Sequence, residues 1–371
     1  MNWGRTLRRI IAGVVVAVAM FSSASLEIFS TSAQSSATLV GVSYPFTGAS
    51  FSPEAAPVVI PTVTDGSIAL TWPSVALSSN RTVSYSVTRT SSTGSVATVC
   101  TGASAPVIGG ANTTCNDADV VAGTSYTYTE QPSTAVGAVT TWSRSTSSAS
   151  TSITPPNWKF GQLGTFIVST NNNAISLPIP NGTAVGDILL LVAVNANRNT
   201  ASAPAGWTEL VSVGVNSSPF SLFVAWRIAD SATSVSLSSR ATATGGFATV
   251  VNYGHAFSST STPVIAHTAV RSSSAAASTT FSPPTNITTN ATAARALSIV
   301  AVRANNPISL STSAGYTVRG AKNQIVDSGT TGLSLAIADT VVQTSGSTPT
   351  SPTWTQSGTA AQWISGLIAF A

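Results

Sequence analysis

Charged residues are scarce in this chain. They make up 7% of its 371 residues, whereas roughly a quarter of an ordinary soluble domain is charged. With 43% hydrophobic residues, the chain also lacks the composition of a disordered protein, which combines low hydrophobicity with high charge. The basic residues are scattered singly and form no stripe interleaved with aromatic residues, which disfavours nucleic acid as a partner. We therefore expect a folded chain that does not bind nucleic acid.

Histidine occurs only twice, which limits metal and catalytic sites. His255 and His267 have no third ligand or carboxylate nearby in the sequence, so His255, in an apolar final strand of the repeat described below, is interpreted as structural. No G-x-S-x-G motif is present, and serine is too abundant for any single one to indicate a nucleophile. We predict no catalytic residue, no metal site and no cofactor.

Carboxylates are few in the C-terminal half, and a glycosidase needs two of them across a cleft. Asp230 and Asp339 occupy equivalent positions of the repeat, directly after a predicted strand, where a turn-forming aspartate is expected. The remaining candidates are Asp187, Glu209 and Asp327. An enzyme acting on polysaccharide is therefore disfavoured, and the chain is predicted not to be an enzyme.

Long hydrophobic runs are also few, and the first has the setting of a targeting segment. Arg5, Arg8 and Arg9 precede an apolar run at 10–21, and small residues follow it. This is the layout of a secretory signal peptide, and the run is short for a membrane span, which needs about 20 apolar residues. We predict a signal peptide or membrane anchor over 1–33 and an extracellular or cell-surface location, with membrane contact only through this segment if it stays uncleaved.

Cysteine is limited to Cys100 and Cys115. In an exported chain, a pair within one small domain is best explained as a disulfide. Closing a loop of about 15 residues stabilises the fold by roughly 3 kcal/mol in the chain-entropy model. A redox-active or metal-binding pair would need C-x-x-C-like spacing or a nearby histidine, and neither is present. We predict a structural disulfide.

Residues 57–153, after a linker at 34–56, are predicted to form an all-β sandwich. Several segments there alternate apolar and polar residues between clusters of turn residues, which is typical of sandwich strands. The segment VAGTSYTY at 121–128 and Trp72 on an early strand resemble the fibronectin type III family. The resemblance implies that Tyr126 forms a tyrosine corner, that Trp72 lies in the core, and that the domain is a spacer or protein-binding unit.

The C-terminal part contains an internal quasi-repeat. A strand–turn–strand plan that occurs twice predicts two similar sets of strands, which can bury their apolar faces against one another. We predict repeat units 187–257 and 296–370, packed within one sandwich. The matching segments are VAVNAN at 192–197 with VAVRAN at 300–305, PAGWT at 204–208 with SAGYT at 313–317, IAD at 228–230 with IAD at 337–339, and HAF at 255–257 with IAF at 368–370.

After a Pro-rich hinge at 154–157, residues 158–371 are predicted to form a jelly-roll-like or lectin-like β-sandwich. The run ILLLVAV at 188–194 is almost unbroken, as expected of a strand covered on both faces. Edge strands are expected around Val264–His267 and Thr279–Phe281. The plan of apolar run, PAGWT turn and C-terminal W…AF strand resembles domains of phage tail and bacterial surface proteins, most of which have no assigned activity.

Tryptophans in this second domain could form a sugar-binding surface, because exposed aromatic rings bind sugars by stacking. Trp226 and Trp363 lie inside apolar strands and are predicted to be core residues. Trp207 and Tyr316 follow turns, and Trp354 lies in the segment SPTWTQSG. These three are the candidate ligand platform, and core packing is the alternative explanation for them.

These observations favour an exported, non-catalytic surface or secreted protein, with a spacer domain that presents a β-sandwich binding head for adhesion or glycan binding. Its partners would be glycans or other surface proteins. The alternative is a structural subunit of a surface layer, fibre or tail-like assembly, because low charge and exposed β edges suit lateral pairing. An internal Lys–Asn crosslink is disfavoured, since Lys159 is expected at the hinge and Lys322 in a polar turn.

Overall fold

The computed structural model contains only β-strands as regular elements in the part of the chain that it describes. Among these residues, no helix has the length and apolarity needed to cross a membrane. The predicted segment 1–33 lies outside them. The described residues are 35–39, 42–46, 51–52, 55–65, 67–77, 83–101, 107–109, 112–136, 140–169, 174–197, 201–215, 219–238, 245–255, 263, 265–271, 277–283, 287–289, 293–312, 315–326, 332–343 and 350–371.

The strands follow one another along the whole described chain, and the prediction of an all-β fold is confirmed. In chain order they are β1 Ser35–Leu39, β2 Val42–Phe46, β3 Phe51–Ser52, β4 Ile60–Val63, β5 Ile68–Pro73, β6 Ala76–Leu77, β7 Ser84–Ser91, β8 Val96–Val99, β9 Val107–Gly109, β10 Asn112–Asp117, β11 Tyr126–Val136, β12 Thr140–Ser143, β13 Trp158–Leu163, β14 Ile167–Ser169, β15 Ile175–Pro178, β16 Ile188–Asn195, β17 Thr208–Val215, β18 Phe220–Ile228, β19 Ser234–Leu237, β20 Gly246–His255, β21 Ile265–Arg271, β22 Thr280–Phe281, β23 Ala294–Val302, β24 Ile308–Thr312, β25 Thr317–Ile325, β26 Gly332–Val342, β27 Thr353–Gln356 and β28 Trp363–Phe370.

The chain divides into two compact units whose boundaries interleave. The first consists of Met1–Pro61, Ala69–Asp117 and Thr127–Thr151, and the second of Thr62–Ile68, Ala118–Tyr126 and Ser152–Ala371. Two short segments from the N-terminal half therefore belong to the second unit. Ahead of the first unit's main sheets, β1 and β2 pair as a hairpin and β3 pairs with β6.

The first unit contains two four-stranded sheets, with the orders β4-β5-β10-β9 and β12-β11-β7-β8. If these strands are lettered A, B, C, C′, D, E, F and G in chain order, the sheets read A-B-E-D and G-F-C-C′, the order of an immunoglobulin-like sandwich. Alternate residues of β5 are buried, as the period-2 pattern predicts. Trp72 is one of them and lies in the core.

Each repeat of the second unit contains one large and one small sheet in the same order. In the first repeat the large sheet is β13-β20-β16-β18-β17, with β14 also on β20, and the small sheet is β15-β19. In the second repeat the large sheet is β21-β28-β23-β26-β25, and the small sheet is β22-β27-β24. Within each repeat the chain passes from the large sheet to the small sheet and back more than once. The two predicted edge strands correspond to β21 and β22.

Three apolar cores hold these four sheets together. A central core joins the two large sheets, with Leu190 and Val192 from the first repeat and Ile299 from the second. An outer core joins each large sheet to its own small sheet, for example through Leu189 in the first repeat and Val300 in the second. The predicted shared core is present. The single sandwich expected from the sequence is instead a stack of four layers, because each repeat forms a sandwich of its own.

The strand register corrects the alignment of the repeats. Ile188 pairs with Ile228 in the first repeat, and Ile299 pairs with Ile337 in the second. Since Ile228 and Ile337 open the two IAD segments, Ile188 corresponds to Ile299, 111 residues later, and not to residue 296. The VAVNAN and VAVRAN match is therefore displaced by three residues. Both strands are apolar on both faces, so their composition does not show which face packs in the central core and which packs in the outer core.

Candidate functional site

A pocket of about 430 Å³ lies on the first repeat, where β13 and β20 meet the turn before β16. Lys159 comes from β13, Asn252 and His255 come from β20, and Asn181 and Asp187 come from the segment between β15 and β16. Asp187 and Asn252 lie on the face of the large sheet that carries the first repeat's outer core, beyond the last apolar residues of that face. The site is therefore a polar end of an otherwise apolar interior.

Glycine at position 254 provides the space between the charged residues. Lys159 pairs with Gly254 across β13 and β20, and residues paired across strands point to the same face of a sheet. Asp187 lies on the other side of Gly254, and a Cβ atom added to Gly254 would be 3.3 Å from Asp187 Oδ1. Lys159, Gly254 and Asp187 thus form a row across three strands, and the middle position has no side chain.

The Asp187 carboxylate is held by the turn that precedes β16. Its Oδ2 accepts hydrogen bonds from the Ala184 backbone NH at 2.8 Å and from Asn252 Nδ2 at 3.0 Å. The turn is closed by the Asp187 backbone NH, which donates to the Ala184 carbonyl at 3.1 Å. Gly186 has φ +100°, a conformation that glycine adopts at little cost. Asp187 is 6% exposed as a whole residue, and these hydrogen bonds fix its carboxylate in the pocket.

Asn252 connects the pocket floor to the same turn. Its Nδ2 also donates to Thr183 Oγ1 at 2.6 Å, and Thr183 Oγ1 donates to the Pro180 carbonyl at 2.7 Å. Asn252 Oδ1 is buried and has no hydrogen-bond partner. It faces Gly161, where a Cβ atom would approach it to 2.7 Å. A buried polar atom without a partner is rare in folded proteins and needs an explanation.

His255 ends β20 and is half-buried. Its ring stacks on Trp158 of the central core, with ring centroids 4.3 Å apart and planes tilted by 45°. The position equivalent to His255 in the second repeat is Ile368, which pairs with His267 on β21. Within the described ranges, no group of three His, Cys, Asp or Glu side chains could hold a metal ion.

The Trp207, Tyr316 and Trp354 platform is corrected by the structure, because all three rings are buried. They are 7%, 5% and 0% exposed, and a stacking platform needs an exposed ring face. Trp207 packs in the first outer core and the other two pack in the second. The repeated position of Trp207 and Tyr316 after a PAG or SAG turn indicates a repeated core residue, and the turn glycines Gly206 and Gly315 have φ +79° and +81°.

The two IAD aspartates have different environments, although they are equivalent in the repeat. Asp230 forms the predicted turn, in which its Oδ1 accepts from the Ala232 NH at 2.9 Å; this bond, followed by the charge of Arg227, lowers the Asp230 pKa. The turn prediction is wrong for Asp339, because β26 continues past it to Val342. Asp339 is fully buried.

Asp339 lies in a buried ion cluster of the second unit. Its Oδ1 is 3.3 Å from Arg295 Nη1 and 2.8 Å from Arg319 Nη2, and its Oδ2 accepts from the Tyr253 hydroxyl at 2.8 Å. Asp65, in the segment Thr62–Ile68, pairs with both arginines at 2.9 Å. Two cations and two anions balance here. The cluster has the composition of a structural network and not of a ligand site.

The other candidate carboxylates are not assembled into a catalytic pair. Glu209 is exposed on β17, and Asp327 lies outside the described residues. Of the described carboxylates, only Asp187 lines the pocket. The geometry of two carboxyl groups across a cleft, which glycoside hydrolysis needs, is therefore not found among the described residues.

The structural predictions for the first half of the chain agree with the geometry. Cys100 and Cys115 form the predicted disulfide. The Tyr126 hydroxyl accepts a hydrogen bond from the Val121 NH at 2.9 Å, the backward bond to the backbone that characterises a tyrosine corner. Trp72 packs edge-to-face on Tyr85, with centroids 5.5 Å apart.

The second repeat lacks the carboxylate and the amide of the pocket at the equivalent positions. Through the corrected register, Asp187 and Asn252 correspond to Ser298 and Ser365. Both serines are fully buried, and Trp354 Nε1 donates to Ser298 Oγ at 2.8 Å. An indole side chain from the small sheet thus takes up space at the second repeat's equivalent position. The polar groups of the pocket are a feature of the first repeat.

Sequence reasoning missed Asn252 and Gly254 as pocket residues, although a signal for them existed. On one face of β20, the residues change from Ala248 and Val250 to Asn252 and Gly254. A polar residue and then a glycine at alternate positions of an apolar strand indicate that this face stops packing there. Lys159, expected at the hinge, lies in β13, and Lys322, expected in a turn, lies in β25.

Comparison with known proteins does not extend these assignments: neither a scan against protein-family models nor a search of curated proteins returns a match for this chain. The sandwich architecture therefore rests on the strand order and the cores described above.

Proposed function

We propose that this protein is an exported, non-catalytic surface or secreted protein whose second unit is a binding head for glycans. The first unit serves as a fibronectin type III-like spacer in this proposal, and the second resembles the sandwich domains of phage tail and bacterial surface proteins. The Cys100–Cys115 disulfide supports export, since such bonds persist in oxidising environments. The signal-like layout of residues 1–33 supports it as well.

The pocket of the first repeat is the observation that carries the glycan proposal. A sugar hydroxyl both donates and accepts hydrogen bonds, so its site needs both kinds of partner. Asp187 offers carboxylate oxygens and Lys159 offers N–H donors, while Asn181 and the glycine backbone around it can do either. Few polar groups placed at the end of an apolar interior are typical of ligand pockets.

A binding role is favoured over catalysis because the pocket supplies one carboxylate and no second acid or base of the same kind. Asp187 is also occupied by two hydrogen bonds from the protein itself. A carboxylate held in this way is suited to orienting a ligand.

The glycan proposal is tested by a glycan array with the full chain and with Ala184→Trp. Ala184 lines the pocket and is hydrogen-bonded to Asp187 through its backbone NH and carbonyl, so the new side chain adds bulk without removing either bond. Glycans retained by the parent protein should be lost by this variant. Ala321→Trp, an equal change at an exposed position of β25, is the control and should bind normally. An array on which the parent retains nothing contradicts the proposal.

A second candidate function is a structural subunit of an assembly, which one feature of the second unit favours. Among the described strands, β25 ends its sheet order, and its Val318 and Ile325 are exposed. An unpaired sheet edge can pair with another chain. Size-exclusion chromatography with light scattering should show a large or heterogeneous species if this is the function, and a uniform monomer excludes it.

A further inference from the structure

Lys159 lies at the pocket and forms no salt bridge with the described residues of the protein. In the described part of the chain, the salt bridges involve arginines only. Lysine occurs just twice in the whole sequence, and Lys159 is half-buried at the pocket. A lysine placed against polar groups, in a chain that otherwise avoids lysine, points to a use for its charge.

The negative charge of Asp187 does not satisfy Lys159. Asp187 Oδ2 already accepts two hydrogen bonds from the protein, which stabilise a carboxylate without a cation. Lys159 and Asp187 are separated by β20, with Gly254 between them. Two strand spacings of about 4.8 Å each put their backbones roughly 10 Å apart. The gap over Gly254 is therefore open to a ligand that reaches both groups.

We propose that the pocket binds an acidic saccharide, whose anionic group pairs with Lys159 and whose hydroxyl groups donate to Asp187. This inference rests on the proposed glycan-binding function and specifies its ligand class. The remaining oxygen, Asp187 Oδ1, faces Gly254 and accepts from a ligand hydroxyl. Asn181, exposed at the rim, supplies both a donor and an acceptor. A neutral sugar would leave the Lys159 charge unpaired within the site.

The second repeat shows what happens where this ligand is not accommodated. The positions equivalent to Asn252 and Gly254 are Ser365 and Leu367. Leu367 is fully buried in the second outer core. The glycine that opens the space beside Lys159 is thus replaced by an apolar side chain that closes it. We expect no such site at the equivalent position of the second repeat.

The test compares acidic and neutral glycans on the same array, using the parent protein, Lys159→Met, Lys159→Arg and Lys322→Met. We expect the parent to retain uronic-acid-containing or sulfated glycans above neutral ones. Lys159→Met should weaken this binding about tenfold or more, as expected for loss of a charged hydrogen-bonded partner. Lys159→Arg should keep most of it, because the charge remains. Lys322→Met removes the chain's other lysine and should bind like the parent.

The outcomes separate this inference from the function on which it rests. If the parent retains only neutral glycans, or if Lys159→Met binds acidic glycans as tightly as the parent, the acidic class is wrong while glycan binding stands. If no glycan is retained, both are wrong. Binding should also weaken at high salt, since an ion pair at a partly open site is screened. Salt-independent binding would contradict a role for the Lys159 charge.

Discussion

At the scale of single residues, Glu130 in β11 is the most unusual group of the first unit. Its side chain is fully buried, and neither carboxyl oxygen has a hydrogen-bond partner. Burial disfavours the charged form and raises the Glu130 pKa from 4.5 to about 7. Between about pH 4.5 and 7 the folded protein therefore holds a proton that the unfolded chain has released.

This difference predicts a pH dependence of stability. The folded state binds more protons than the unfolded state between about pH 4.5 and 7. The unfolding free energy of the first unit should therefore fall as the pH rises through this window, by on the order of 3 kcal/mol, and level off above it. Thermal melts of the parent and of Glu130→Gln from pH 4.5 to 8 measure it. The variant should lose this dependence, and parallel curves for the two proteins would show that Glu130 does not cause it.

The tyrosines of β11 provide a matched pair for a second prediction. Tyr126→Phe removes a hydroxyl that accepts from the Val121 NH. Val121 is 58% exposed, so water can replace the lost partner, and we expect a cost of about 1 kcal/mol. Tyr128→Phe removes a buried hydroxyl that donates to Asp117 at 3.0 Å. A hydrogen bond to a charged group contributes about 1.5–3 kcal/mol, so this variant should be the less stable one. Urea unfolding of both gives the order, and the reverse order would contradict this account.

At the scale of elements, the equivalent strands β18 and β26 differ in length after the IAD segment begins. β18 ends at Ile228, whereas β26 continues to Val342. Asp230 follows the end of β18 and is exposed, whereas Asp339 lies within β26 among two arginines. Removing one partner of a buried ion network leaves charges uncompensated and costs about 3–5 kcal/mol. Asp339→Asn should destabilise the second unit by that amount. Asp230→Asn, at the exposed equivalent position, is the control and should have little effect on stability; denaturant unfolding measures both variants. Equal losses of unfolding free energy in the two variants would mean that the buried ion cluster does not stabilise the second unit.

The elements also show how far the sequence determines the structure. The unbroken run Ile188–Val194 predicted a strand covered on both faces, and every residue in it is fully buried. Because this run has no alternation of apolar and polar residues, it aligns equally well with the second repeat after a shift of a few residues. The sequence therefore did not determine the register. The aromatic positions of the ligand platform were misplaced for a related reason. The sequence of a turn followed by Trp207 is the same whether the ring is exposed or packs in a core. The ring is buried because the small sheet of the first repeat covers it, and the local sequence does not show that sheet.

The pocket could not be predicted from local pattern alone. Lys159, Gly254 and Asp187 are far apart in sequence and become neighbours only through the order β13-β20-β16. Their row depends on which residue of each strand faces which partner. The change from apolar residues to Asn252 and Gly254 along one face of β20 is visible in the sequence. The turn at Ala184, which fixes Asp187, has no comparable sequence pattern. Long-range register therefore determines the candidate site.

At the scale of the whole second unit, the central core makes each repeat dependent on the other. The face of β16 and β18 that carries Leu190 and Val224 packs on the other repeat. A fragment that spans 152–255 would leave this face in water, at about 25 cal/mol for each Å² of apolar surface. We expect that fragment to aggregate or remain unfolded, although it contains both sheets of its repeat. Circular dichroism melts and light scattering measure this, and a soluble fragment with a cooperative melt would show that the outer core alone is sufficient.

The position of β28 has a consequence for the order of events during synthesis. This strand lies between β21 and β23, inside its sheet, although residues 363–370 follow all the other described strands along the chain. Until β28 has been synthesised, β23 lacks one of its two neighbouring strands, and the central core lacks Ile364 and Ile368. Folding of the unit therefore cannot advance step by step with translation, as it can when each domain forms from consecutive elements. A chain truncated before residue 363 should leave the apolar strands β21 and β23 without their shared neighbour, and such a product should be a target for chaperones and proteases.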